Sequence, residues 1–237
     1  MDSESENKTC KAMNIIKSVI SRLKYYRGIL RSYAFCFKYL PYEQAKRMPF
    51  YLTEPIDVLE LRKGDIILKG EIRPRMICIG GGVELGQKRG LILEVNDGGH
   101  LIFEGSAFIA NGCYIRVHEG ARMILGDKVG INSNCFIRST TKVTLGERVM
   151  LGWNNEIIDC DGHDVWVDDR KVEKSQPIHI GKHVWITSHV RISKGVTIAD
   201  ECIVAKGAVV TKKHTVPHTL IGGVPAKDIR NNVKWEK

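Results

Sequence analysis

The sequence predicts an all-β solenoid, a parallel β-helix, preceded by an amphipathic α-helix. Three observations carry this reading: an aliphatic or aromatic residue returns every six positions from Phe103 onward, the returns come in groups of three, and residues 12–37 follow a helical period instead. A six-residue period is neither the 3.6 of a helix nor the two-residue alternation of a strand, and such periods mark parallel β-helices.

The N-terminal segment, residues 1–48, comes first. Ala12, Ile15, Ile16, Val19, Ile20, Leu23, Tyr26, Leu30, Tyr33, Ala34 and Phe37 fall on one helical stripe, while Lys17, Lys24, Arg31 and Lys38 recur every seven residues on another face. This predicts an amphipathic helix ending before Pro41. A basic face beside an aliphatic stripe fits a helix lying on a membrane surface through residues 12–40. It fits equally a helix packed on the β-prism or on a neighbouring copy, which is the preferred reading.

The repeat domain spans residues 49–220. Residues 66–102 carry a loose form of the repeat, with Ile79, Leu85 and Leu91 and the run Gly80-Gly81-Gly82, and are expected to form an imperfect first coil or two. The regular groups are Phe103, Ile109, Ile115; Leu125, Ile131, Ile137; Leu145, Leu151, Ile157; Ile180, Ile186, Ile192; and Ile198, Val204, Val210. Four residues after many of these stands a smaller one, such as Cys113, Cys135, Val149, Val184 or Cys202. Cysteines on those steps read as small buried hydrophobes. Glycine follows the large residue in Leu125-Gly126, Leu145-Gly146, Leu151-Gly152 and Ile180-Gly181, where a corner needs positive φ or close packing. Between groups the spacing is ten, eight, twenty-three and six residues, so extra chain leaves the prism at one repeated corner. Its long insertion, residues 158–179, contains His163. The competing architecture is an antiparallel sandwich, whose strands recur at about 8–12 residues. Residues 221–237 form a tail.

The 237 residues are 43% hydrophobic and 27% charged, which excludes a disordered or collagen-like chain. Most of the net charge of +9 belongs to residues 11–47, and no nucleic-acid-reading module accompanies it, so no nucleic-acid partner is expected. Cys10, Cys36, Cys78, Cys113, Cys135, Cys160 and Cys202 form an odd set without CxxC spacing, against a disulfide framework or a zinc knuckle. No signal-peptide pattern opens the chain, and no apolar run reaches the roughly 18 residues of a membrane span. A cytoplasmic location is expected, with the helix leaving open a peripheral place at the inner face of the membrane.

Residues 103–231 resemble the hexapeptide-repeat O-acetyltransferases, especially the polysaccharide and maltose or galactoside branch. The motifs are Ile180-Gly181-Lys182-His183-Val184-Trp185-Ile186, Gly195-Val196-Thr197-Ile198, Ala208-Val209-Val210-Thr211-Lys212 and Gly223-Val224-Pro225-Ala226-Lys227-Asp228-Ile229-Arg230. The resemblance implies a left-handed β-helix, an exception to the right-handed crossover rule. It also implies a homotrimer with active sites between prisms, acetyl-CoA as co-substrate and a sugar-type acceptor.

Acetyl transfer to an alcohol needs a base near neutral pKa, donors for the developing oxyanion and a groove for CoA; histidine's ordinary value of about 6.5 suits the first. His163 ends Asp159-Cys160-Asp161-Gly162-His163, where the family has its catalytic histidine. Asp159 or Asp161 is the candidate to orient the ring, as a carboxylate does in hydrolase triads; an uncatalytic loop histidine is the alternative. Asn132 matches the family's Asn or Asp near the reacting carbon, an oxyanion donor or merely a corner residue. The resemblance gives the pantetheine arm to the backbone amides of Ser188 and Lys206, with Thr211 and Lys212 further along. It gives the CoA phosphates to Lys227 and Arg230, although Lys227 stands where some members have Arg, a point charge in place of a fork. Trp185 is placed beside the acetyl end or in the core. Trp166 and Trp153 offer flat faces to a sugar, or simply pack.

Two enzyme alternatives share the fold: an N-acetyltransferase on an amino sugar, and a γ-type carbonic anhydrase. The latter needs an H-x4-H pair, whereas His179-His183, His183-His189 and His214-His218 are spaced by three, five and three. No metal is expected. A non-catalytic scaffold is the third alternative.

Overall fold

A computed structural model describes residues 3–81 and 90–236 of the chain. Leu85 and Gly82 of the loose repeat lie outside the described residues.

Three sheets of parallel strands surround one core. The first takes Phe50–Leu52, Ile77–Ile79, Ala107–Ile109, Val129–Ile131, Met150–Leu151, Trp185–Ile186, Ile203–Val204 and Leu220–Gly223, with Ala226–Arg230 antiparallel at its edge. The second takes Ile56–Leu59, Leu91–Val95, Tyr114–Val117, Phe136–Ser139, Glu156–Ile158, Arg191–Ile192 and Val209–Val210. The third takes Ile66–Leu68, His100–Phe103, Arg122–Leu125, Lys142–Leu145, Ile178–Ile180 and Thr197–Ile198. The chain visits the sheets in rotation, so every third strand stacks on its predecessor.

That rotation explains the six-residue period. All fifteen regular positions are at most 2% exposed. In the first sheet they stack in one column, Ile109 on Ile131 on Leu151 on Ile186 on Val204. Cys113, Cys135 and Cys202 are buried on the smaller steps. The coil begins at Phe50, ahead of the loose repeat, because the strands at 50–68 pair in register with those at 77–103.

The glycines after the core steps serve close packing. A Cβ on Gly146 would lie 2.6 Å from the Gly181 carbonyl oxygen, so only a residue without one lets successive coils touch there. Positive φ is carried instead by side-chain-bearing residues such as Lys128, Asn134, Arg148, Asn154 and His189.

Helix α1, Ser3–Tyr39, stops before Pro41, and a short α2, Tyr42–Ala45, leads into the first strand. Helix α1 packs on the prism, but by a face other than its apolar stripe. Gly28, Ser32, Phe35, Cys36 and Tyr39 face the prism, whereas Leu23, Tyr26, Leu30 and Tyr33 are exposed. Small residues decide this. A Cβ at Gly28 would already lie 3.1 Å from the Leu52 carbonyl oxygen, and Ser32 Oγ accepts from the Leu52 amide at 2.9 Å while donating to the Gly28 carbonyl at 2.6 Å.

Candidate active site

The chain leaves the prism between the second and third sheets, and at Glu156–Ile158 it begins the long insertion. Asp159, the next residue, is fully buried. Its Oδ1 accepts from the amide and hydroxyl of Thr140 (both 2.7 Å), and its Oδ2 from the amide and hydroxyl of Thr141 (2.8 and 2.9 Å) and the Lys142 amide (3.0 Å). A buried carboxylate requires such satisfaction. Asp159 therefore clamps the preceding coil's corner, and neither oxygen is hydrogen-bonded to His163. Asp161 pairs with Lys194, which also donates to the Glu173 carbonyl at 2.5 Å. Neither candidate carboxylate orients His163 within the chain.

Backbone bonds zip the root of the insertion, Gln176 to the Asp159 carbonyl and Asp161 to the Lys174 carbonyl, both 3.0 Å. Beyond it stands an antiparallel hairpin, Val165–Val167 with Arg170–Val172, turned by Asp168 and Asp169 at φ 49° and 60°. Two successive positive φ values suit a tight hairpin turn. Trp166 is exposed on this hairpin, with the Lys171 ammonium 5.7 Å from its ring centroid. His163 lies between root and hairpin, exposed and without a hydrogen-bond partner among the described residues.

Beside the insertion's root, on the second sheet, sequence reasoning missed a small cluster. Arg138 Nε donates to His118 Nε2 at 3.1 Å, and Arg116 lies 3.0 Å from Glu94. Burial, then the charges of Arg116 and Arg138, hold the His118 ring below histidine's ordinary pKa, so it serves as a neutral acceptor. Strand alternation puts Arg116 and Arg138 side by side in register, a pairing visible only once the coil length is known. Cys160 is in the same neighbourhood. Burial raises its thiol, but hydrogen bonds from Ser175, the Gly162 amide and Thr140 outweigh that and leave it below a free cysteine.

The remaining candidates lie elsewhere. Asn132 follows the first sheet, its amide donating to the Leu151 carbonyl at 3.0 Å. The corner's positive φ falls on Asn134, so turn geometry does not require Asn132, and its side-chain amide has no hydrogen-bond partner among the described residues. Ser188 Oγ accepts from the Trp153 amide at 3.2 Å, and the Gly207 amide donates to the Ser188 carbonyl at 3.1 Å, so Trp153, Ser188 and Lys206 share one edge. Among the described residues, the amides of Ser188 and Lys206 donate to no backbone carbonyl. Trp185 is not in the core. It is 40% exposed on the first sheet, 5.9 Å from the ring of Trp235, which stacks on His183 at 4.2 Å. Trp235, His183, Met150, Arg148 and Lys128 line a cavity of about 550 Å³ there. Thr211, Lys212, Lys227 and Arg230 are exposed, and among the described residues Lys227 and Arg230 have no ion-pair partner.

The structure thus brings Trp153, Ser188, Lys206 and Asn132 to the corner between the first and second sheets and leaves His163 at the far edge of the second. The strand between, Phe136–Ser139, is roughly 13 Å long at about 3.3 Å per residue. One chain does not join the two groups. Among the described residues, no group of three or more His, Cys, Asp or Glu is placed to hold a metal ion.

No protein-family model matches the chain. Galactoside O-acetyltransferase of Escherichia coli (strain K12) is 37% identical over 101 residues, 42% of this chain and 49% of that protein. A 24.8 kDa protein in the cps region of Klebsiella pneumoniae is 32% identical over 151 residues, 61% of this chain and 64% of the other. Among solved structures, the polySia-specific acetyltransferase NeuO superposes with a TM-score of 0.60 at 19% identity, covering 80% of this chain and 79% of that one, a likeness of fold. The chain spans about half the length of the galactoside O-acetyltransferase it matches. The resemblance to O-acetyltransferases read from the motifs agrees with the match to galactoside O-acetyltransferase.

Proposed function

We propose that the chain is an acetyl-CoA-dependent O-acetyltransferase acting on a hydroxyl of a sugar or polysaccharide precursor, wound as a left-handed β-helix and working as a homotrimer. The observation that carries the reading is His163: a solvent-facing imidazole without internal partners, held on a zipped insertion at the motif position of the family's base. The sequence match to a galactoside O-acetyltransferase supports the reaction class.

In this mechanism the neutral His163 ring takes the acceptor's hydroxyl proton as the oxygen attacks the thioester carbonyl. Asn132 donates to the oxyanion that forms. The C–S bond then breaks, and the imidazolium returns its proton to the departing thiolate. His163 and Asn132 lie on opposite edges of the second sheet, so the two meet only when His163 of one copy faces Asn132 of another. Trp185, Ser188, Lys206, Thr211 and Lys212 then follow the CoA arm, and Trp166 and Trp153 flank the acceptor. Among the described residues no helix is long and apolar enough to cross a membrane. The test of the reading is acetyl-CoA turnover against a panel of sugar acceptors, with the product's acetylated atom located by NMR; turnover with no acceptor sugar in the panel would count against it.

The divided site makes assembly necessary for activity. Light scattering at micromolar concentration is expected to give the mass of a trimer, and a monomer that still turns over would sink the two-copy site.

The phosphate end gives a second expectation. Replacing Lys227 and Arg230 together with Ala should weaken acetyl-CoA binding by roughly tenfold or more, since a hydrogen bond to a charged group contributes about 1.5–3 kcal/mol. Dephospho-CoA should lose less if these cations meet the 3′-phosphate. Calorimetry showing equal losses for both ligands would move the phosphate site elsewhere.

A further inference from the structure

The contacts that seat α1 also fix its rotation. Besides Gly28 and Ser32, Arg31 Nη1 donates to the Thr53 carbonyl at 3.0 Å, and Arg75 Nη2 donates to Tyr25 Oη at 2.7 Å. At about 100° per residue, Val19 lies roughly 180° from Gly28, Leu23 from Ser32 and Tyr26 from Phe35. The apolar stripe therefore points directly away from the prism. Val19, Ile20, Leu23, Tyr26, Leu30 and Tyr33 are 47% to 69% exposed, a continuous apolar face about four turns long. Exposed apolar surface of this extent marks an interaction site.

Charge identifies what covers it. From Lys11 to Leu40 the chain has seven Lys or Arg and no Asp or Glu. Arg27 and Lys38 are exposed along one border of the stripe and Arg22 along the other, whereas Lys17 and Lys24 lie roughly 180° from Tyr26 and Tyr33. In a parallel pairing of two α1 helices through the stripe, Arg22 of one copy would face Arg27 of the other, like charges at the positions that normally carry complementary ones. An anionic lipid surface meets both features at once: headgroups pair with the cationic borders, and the acyl boundary takes the aliphatic and tyrosine side chains.

We propose that α1 docks this chain onto anionic bilayers, lying in the interface with Leu23, Tyr26 and Leu30 inserted and the cations at phosphate level. Removing residues 1–40 would not test this, because Phe35, Cys36, Tyr39 and Leu40 belong to the core. Exposed-face substitutions do. Full-length protein is to be sedimented with vesicles of phosphatidylcholine alone and with 30% phosphatidylglycerol. The wild type is expected to bind the anionic vesicles at least tenfold better, with affinity falling as salt rises. The double variant Leu23→Glu/Leu30→Glu should lose at least tenfold in binding while keeping its circular dichroism and its acetyl transfer to a soluble acceptor. Arg22→Gln/Arg27→Gln should lose the preference for anionic lipid. Wild type that stays in the supernatant at low salt overturns the proposal, as does equal binding by the glutamate variant. A glutamate variant that only shrinks the assembly in light scattering, without any vesicle binding by the wild type, assigns the stripe to a second copy and likewise overturns it.

Discussion

Replacing His163 with Ala is expected to cut turnover by about 10²–10⁴, the usual worth of a positioned general acid or base, and to leave acetyl-CoA affinity nearly unchanged. The separation of the two effects follows from position. His163 is exposed on the insertion and supports no core step, so the coil and its stacked edge at Ser188 and Lys206 have no reason to shift. Steady-state kinetics with and without the substitution, beside calorimetric binding of acetyl-CoA, checks both halves. A folded variant that binds the donor and turns over at the wild-type rate would remove His163 from the chemistry. His183 and His189 are poorer substitutes: the first is bound to Glu201 at 2.6 Å and covered by Trp235, and the second lies 3.4 Å from Asn154 on another edge.

The second large effect is one of stability. Asp159→Ala should cost about 3 kcal/mol, because it leaves the amides of Thr140, Thr141 and Lys142 without their acceptor at a part-buried corner, at the low end of about 1–3 kcal/mol for each orphaned group. Two hydroxyls lose the same acceptor but can turn to others. Guanidinium unfolding should show a lower midpoint for the variant with an unchanged slope. The measurement also decides between two roles. An Asp159 that oriented His163 would show a loss of turnover at wild-type stability; the five-bond clamp predicts destabilisation first, with turnover falling only as far as the corner at 140–142 loosens the insertion's root.

Much of the fold was legible because its period is set by burial alone. Each core step, such as Ile131, Leu151 or Ile186, points inward once per sheet, so hydrophobicity reports it without knowledge of the corners. The corners were less legible. The glycines seen after the core steps turned out to relieve coil-to-coil crowding, as at Gly146, while positive φ fell on residues such as Lys128 and Arg148, whose side chains give no sign of it. The hairpin at 165–172 had a weak signal in Asp168-Asp169, flanked by Val-Trp-Val and Arg-Lys-Val, and a turn search there would have found it.

The candidate site was legible as a set of residues and not as an arrangement. Motif spacing singled out His163, Asn132, Trp185 and the cations at 227 and 230 one by one. The placement of His163 and Asn132 on opposite edges of the second sheet, and of Trp185 and the two cations on the first, depends on where the chain turns, which no spacing states. Arg138, His118 and Lys194 escaped notice for the same reason, since their partners are 20 to 33 residues away in sequence and adjacent only across coils.

The sequence by itself determined the coil, its buried columns, the corner that carries the insertion and the helical period of the N-terminal segment, because each is a repeat that hydrophobicity records locally. Tertiary structure alone decided which face of α1 is seated and what Asp159 does. For the helix, close approach outweighed hydrophobicity: Gly28 and Ser32 let the backbone reach Leu52, and the more apolar stripe was turned outward. For Asp159, burial forced every lone pair to find a donor, and the donors lay on the preceding coil at Thr140, Thr141 and Lys142, not four residues ahead at His163.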